Sequence, residues 1–152
     1  MARSKHDSGP SAANAPDNKR VVACLERLVA FDTENPPGHE IEAIEYLADL
    51  FRAIGWQVDV MNLAPGRANV LAVLRNGEGP TLAFNSHVDV VPAGSGWTSD
   101  PFKLTSRAGN LYGRGACDAK GQVAAMVEAL HLLSNMRRQW SGTLMAIFVA
   151  DE

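Results

Sequence analysis

The sequence predicts an α/β fold in which a mixed, twisted sheet is sandwiched by helices. Three observations carry that expectation. Two early stretches repeat apolar residues at helical spacing, the stretches that follow switch to strand alternation, and GTLMAIFVA at 142–150 is apolar from Leu144 onward, as expected of a buried central strand. Helical and extended segments thus share one chain, with helices available to cover a sheet.

The first helix is predicted between Lys19 and Phe31, where Val21, Val22, Leu25, Leu28 and Val29 fall on one stripe and Asp17 or Asn18 is available as a cap. TENPPGHE at 33–40 cannot continue it, because two prolines remove amide donors and restrict the residue before them. A second helix places Ile41, Ile44, Leu47, Leu50, Phe51 and Ile54 on one face, with Gly55 positioned to end it.

The period then changes. Trp56, Val58 and Val60 alternate with polar neighbours, ANVLAVL at 68–74 continues as a second strand, and NGEG at 76–79 is turn chemistry. TLAFN at 81–85 reads as a third strand. After the loop VVPAGSGWTSDP, FKLTS at 102–106 reads as a short strand closed by the AGN turn, and a helix is expected from 119 to about 137 before the final apolar strand.

Composition bounds the rest. With 152 residues, 46% apolar and 20% charged, the chain has the burial capacity of one ordinary domain. A formal net charge of -3 supplies no basic field for phosphate backbones or anionic lipid, so neither nucleic acid nor a membrane is expected as a partner. Residues 1–18 read as a polar flexible tail without the apolar core of a secretory signal, and 19–152 as one ordered unit, so a cytoplasmic location is expected. Cys24 and Cys117 are too few and too unpatterned for a disulfide framework and are expected as reduced thiols.

Three stretches carry the chemistry: SHVDVVP at 86–92, GRGACDAKG at 113–121 and ADE at 150–152. Each follows a strand or precedes a helix, at the edge where open α/β sheets bind ligands. His87 and Asp89 are two apart, so the carboxylate can hold one ring nitrogen and turn the other toward a metal; a simple His–Asp hydrogen bond in a loop is the bland alternative.

Asp118 is flanked by Gly113, Gly115 and Gly121, which permit a crowded loop, although an Asp at this place is more often the cap of the following helix. The same stretch fails as a phosphate loop, because the order is Lys120-Gly121 and the third glycine of a dinucleotide fingerprint would fall on Asp118. Asp151 and Glu152 follow a buried strand, where a desolvated carboxylate needs a cation or proton; a solvated chain end is the alternative. His39 reads as a solvated loop residue, His131 as a helix residue among leucines, Cys117 as a small loop residue, and Trp97 and Phe102 as cover for the loop after the first motif.

Taken in order, SHVDVVP, GRGACDAKG and VADE resemble the three signatures of the metal-dependent amidohydrolase and peptidase family that contains acetylornithine deacetylase, succinyl-diaminopimelate desuccinylase, aminoacylase-1 and glutamate carboxypeptidase. The resemblance runs from about Val21 through Glu152 and includes NPPG at 35–38. It implies a zinc-peptidase-like catalytic domain holding two divalent ions, Zn or Co. His87 would be a terminal ligand, Asp89 its orienter, Asp118 the bridging carboxylate ahead of a cis peptide to Ala119, and Glu152 the general base.

The implied substrate is an N-acyl amino acid or small peptide, hydrolysed at its amide bond by a parent protein of a kind that often forms homodimers. The family's third signature continues with another Glu, and its later ligands and lid domain are also missing here. The resemblance therefore implies the N-terminal portion of the catalytic domain, truncated and inactive as it stands. The alternative is a non-catalytic module with weak metal binding. Acyl group and amino acid are not fixed by these residues.

Overall fold

The computed structural model describes residues 15–151. Most of the predicted polar tail (1–14) and the predicted base Glu152 lie outside the described residues. Helix α1 spans Asn18–Ala30, one residue into the predicted tail, and Asp17 caps it by accepting from Lys19 N at 2.8 Å. Helix α2 spans Ile41–Ala53, and Gly55 follows at φ +80°, the left-handed turn that ends the helix without a Cβ penalty.

Strand β1 is Gln57–Ala64, β2 is Arg67–Asn76 and β3 is Thr81–His87. The hairpin β4 (Thr105–Arg107) and β5 (Asn110–Tyr112) forms a separate two-stranded sheet. This corrects the strand expected at FKLTS: Phe102 to Leu104 are turn, bend and irregular backbone, and the pairing begins only at Thr105, where Asn110–Tyr112 supplies a partner. Helix α3 spans Lys120–Asn135, a 3-10 turn follows at Arg137–Gln139, and β6 is Gly142–Val149.

The main sheet has the order β1-β2-β6-β3. The last strand therefore inserts at the centre, antiparallel to β2 and parallel to β3. Two registers position the site. His87 pairs with Val149, so β3 and β6 end together, and Val70 pairs with Phe148, so the start of β2 arrives at the same edge.

Period-2 alternation decides which side chains reach the core. Ala68, Val70, Ala72 and Leu74 of β2 and Leu144, Ala146 and Phe148 of β6 lie on one face and share a single buried cluster with Leu25, Leu28 and Val29 of α1, Ile44, Leu47 and Phe51 of α2, and Val123, Ala124 and Leu130 of α3. The Phe51 ring stacks on Phe148 with centroids 6.2 Å apart and tilts against Trp56 at 5.0 Å; Trp56 Nε1 reaches Ser134 Oγ of α3 at 2.8 Å. Burying each such side chain contributes roughly 1.5–3 kcal/mol.

The opposite face of β6, with Met145, Ile147 and Val149, is only half-buried, and among the described residues the core helices share their cluster with the other face. None of the described helices is long and apolar enough to cross a membrane.

Candidate metal centre

Because β3 and β6 run parallel, the chain leaves both at one edge of the sheet, and the sequence motifs gather there. The segment Thr33 to Asn35 lies beside Val88 to Val90. Val90 N donates to Thr33 O at 3.0 Å, Asn35 N donates to Val90 O at 2.8 Å, and the Thr33 hydroxyl donates to Val88 O at 2.7 Å. This brings the NPPG loop against the SHVDV stretch.

His87, the last residue of β3, meets Asp118 across 31 residues: Nε2 and Oδ1 are 3.2 Å apart. On the other side of the ring, Nδ1 lies 3.1 Å from the Asp89 backbone oxygen and 3.4 Å from Asp89 Oδ1. The Asp89 oxygens and Asp118 Oδ1 are all acceptors, so both ring nitrogens face oxygen and the donor at each depends on the tautomer. Asp89 thus meets the ring more closely with its carbonyl than with the carboxylate to which the sequence pointed. Asp89 is buried; its Oδ2 accepts from Asn35 Nδ2 at 3.1 Å, and its Oδ1 makes no hydrogen bond among the described residues.

Asp118 does not cap α3. The capping position is Ala119, without a side-chain cap bond, and the Asp118–Ala119 peptide is cis as the resemblance implied. The glycines explain how the loop fits: a Cβ on Gly121 would run into the Ala116 carbonyl oxygen. Lys120, two residues on, turns away into the core, where Nζ donates to Phe31 O at 2.9 Å and burial pushes its pKa down to about 8. It is not a phosphate ligand.

Two clefts meet at His87. One, of about 240 Å³, is lined by His87 with Asn35, Asp89, Arg114 and Asp118; the other, of about 420 Å³, by His87 with Ser86, Gln122 and Asp151. Trp97 covers the loop as expected, donating from Nε1 to Ala93 O at 2.9 Å beneath the Arg114 guanidinium. A more apolar cavity of about 330 Å³ lies on the helix side between Cys24, Tyr46, Leu50 and His131. Its charged groups Arg20 and Glu128 are bonded to each other.

The donor set fits part of a divalent-metal site. When the ring proton is on Nδ1, toward the Asp89 oxygens, His87 Nε2 and Asp118 Oδ1 can both turn lone pairs on one cation between them. His and Asp are also ligand types of zinc. The set is incomplete: among the described residues, no group of three or more His, Cys, Asp or Glu is arranged to hold an ion.

Asp151 approaches the same edge. Asn35 Nδ2 donates to its Oδ1 at 2.6 Å and Arg67 Nη2 at 3.1 Å, and these bonds hold its carboxyl below the ordinary value of 3.8. Sequence reasoning missed Glu40, Arg67 and Asn69. Arg67 bonds the fully buried Glu40 at 3.1 and 3.2 Å and the Ala150 carbonyl at 2.5 Å, while Asn69 Oδ1 accepts from Ala150 N at 2.9 Å. The signal available was a Glu at a helix start and an Arg after a Gly turn, each ordinary alone. Cys24 and Cys117 are free thiols, and Cys24 is pushed up to about 11 by burial.

Residues 83–152 match the model of Peptidase family M20/M25/M40. A probable succinyl-diaminopimelate desuccinylase of Staphylococcus aureus is 38% identical over 136 residues, which is 88% of this chain and 33% of the relative. A succinyl-diaminopimelate desuccinylase of Wolbachia pipientis is 36% identical over 133 residues, 86% of this chain and 33% of the relative. The chain therefore spans about a third of the length of the curated relatives it matches.

Among solved structures, human carnosine dipeptidase 1 superposes with a TM-score of 0.74 at 28% identity, covering 87% of this chain and 32% of that one. A family M20 metallo-carboxypeptidase from Sulfolobus solfataricus gives 0.74 at 24% identity, covering 87% and 31%, and supports the fold.

Proposed function

We propose, taking the chain as the N-terminal part of a metal-dependent amidohydrolase and peptidase of family M20/M25/M40, that it carries half of the site with which its parent protein hydrolyses the amide bond of an N-acyl amino acid or small peptide. The observation that carries this reading is the apposition of His87 Nε2 and Asp118 Oδ1 at 3.2 Å, at the edge where β3 and β6 both end.

His87 and Asp118 would hold the metal, zinc or cobalt, with Asp118 shared between two ions. Bound divalent ions supply Lewis acidity and a water that ionises near neutral pH. With a metal on Nε2, the Asp89 oxygens beside Nδ1 would accept the remaining ring proton and hold the imidazole in that orientation. Glu152 is assigned the general base, removing the proton from the water that attacks the amide carbonyl and returning it to the departing amine. The two clefts that His87 lines offer the scissile amide a place beside the ring.

The test uses the full-length product of the gene with N-succinyl and N-acetyl amino acids and dipeptides. Hydrolysis is expected to disappear with a strong chelator, to return with zinc or cobalt, and to fall by several orders of magnitude in Glu152→Gln with metal retained. Turnover that is indifferent to chelator, or normal turnover in Glu152→Gln, overturns the assignment. A second reading, weak metal binding without turnover, draws on the two-donor set alone; metal binding by a full-length protein that cleaves none of these substrates would favour it.

A further inference from the structure

The groups that hold the acidic end of β6 are separate from the metal-holding pair and come from two distant stretches of the chain, 35–40 and 67–69. Asn69 and Arg67 grip the two polar groups of the Ala150 backbone, at 2.9 and 2.5 Å. Arg67 is itself fixed by Glu40, whose carboxylate is fully buried and would be costly there without a cation. Room for this ion pair comes from Gly38: a Cβ at that position would lie 2.5 Å from Arg67 Nε and 2.7 Å from Glu40 Oε1, and its φ is +84°. A buried acid, a glycine and an arginine are thus committed to placing one guanidinium at the end of β6. Asn35 completes the connection, using one amide nitrogen to donate both to Asp89 Oδ2 at 3.1 Å and to Asp151 Oδ1 at 2.6 Å.

We propose that Asn35 and the Glu40-clamped Arg67 are positioning residues that hold the Ala150–Asp151 end of β6 in one fixed relation to the His87–Asp89 pair. The inference rests on the hydrolase reading above, since the base assigned at residue 152 is carried by the backbone these side chains fix. Neither residue is assigned as a metal ligand or as the base. Their effect is geometric: a misplacement of about 1 Å in such a site costs about 100-fold in rate.

Asn35→Ala and Arg67→Lys in the full-length protein test it. Lysine keeps the charge but not the fork that bonds Glu40 and the Ala150 carbonyl together. Both variants are expected to lower kcat per bound metal by about 10- to 100-fold, beyond any loss of metal content or folded fraction, with KM within about twofold. Independently of turnover, the Ala150 amide is expected to exchange with solvent at least several-fold faster, while amides of the β2–β6 ladder stay unchanged.

Wild-type kcat per metal in both variants, or a loss that merely tracks metal content or folded fraction, overturns the proposal. If the wild-type protein shows no chelator-sensitive hydrolysis, the hydrolase reading fails, and amide exchange at Ala150 alone decides whether Asn35 and Arg67 hold that segment: unchanged exchange in both variants overturns it.

Discussion

His87 Nε2 and Asp118 Oδ1 stand 3.2 Å apart although one ends a strand and the other sits in the loop before α3. Asp118 is 78% exposed, neither caps the helix nor supports the core, and faces the His87 imidazole. On the proposed function, that placement serves a cation shared with His87.

Asp118→Asn is therefore expected to weaken zinc or cobalt binding by at least about 100-fold, and to leave the unfolding free energy of the metal-free protein within about 0.5 kcal/mol of wild type. Calorimetric metal titration and a urea melt measure the two effects. Equal metal affinity in the variant removes Asp118 from the ligand set.

The buried pair of Glu40 and Arg67 should behave asymmetrically. Arg67→Met leaves a fully buried carboxylate without its cation and is expected to destabilise the fold by about 3 kcal/mol, the low end of the range because the Arg67 side chain keeps 20% of its surface in water. The double variant Glu40→Gln with Arg67→Met removes both charges and should lose less than the single change. Denaturant melts of the three proteins close the cycle, and a double variant no better than Arg67→Met would show that packing rather than charge is at stake.

These examples mark what was legible in the sequence. The strand ends and helix stripes were, because hydrophobic period is a local property: α1, α2 and β2 lie where Leu28, Leu47 and Val70 put them. His87, Asp89 and Asp118 were also legible, since each sits in a short stretch rich in ligand types and turn residues. The Asn35, Glu40 and Arg67 network was not. Its bonds join residues 27 to 116 positions apart, and their meeting depends on β6 inserting between β2 and β3, which local periodicity does not specify. FKLTS failed for a related reason, because a strand exists only where a partner does.

Gly38 and Gly55 offer a controlled comparison of backbone strain with steric conflict. Both have positive φ, +84° and +80°, so alanine carries a similar left-handed penalty of about 1–2 kcal/mol at each. A Cβ at Gly55 meets nothing within 4 Å, whereas one at Gly38 collides with the Glu40–Arg67 pair. Gly38→Ala is expected to cost about 1–3 kcal/mol more than Gly55→Ala. Equal losses would mean that the ion pair shifts freely, contrary to its tight setting.

The acid limb of stability should pass through Glu128. Arg20 donates to both of its oxygens at 2.8 and 2.7 Å and holds the carboxyl below its ordinary 4.5 against the opposing effect of burial, with further help from the Asp17 amide at 2.9 Å and from His131 nearby. A depressed folded-state value means that the unfolded chain binds more protons just below pH 4.5. The stabilisation is therefore fully present above about 4.5 and lost as pH falls through the folded value. Since Asp17 is the cap of α1 and Glu128 belongs to α3, protonation loosens the contact between these helices. Glu128→Gln should lower the urea midpoint at pH 7 and lose this part of the acid dependence, so that the two proteins converge toward pH 3. Urea melts from pH 3 to 7 decide it: a gap between wild type and variant that stays constant over that range would place the acid sensitivity elsewhere.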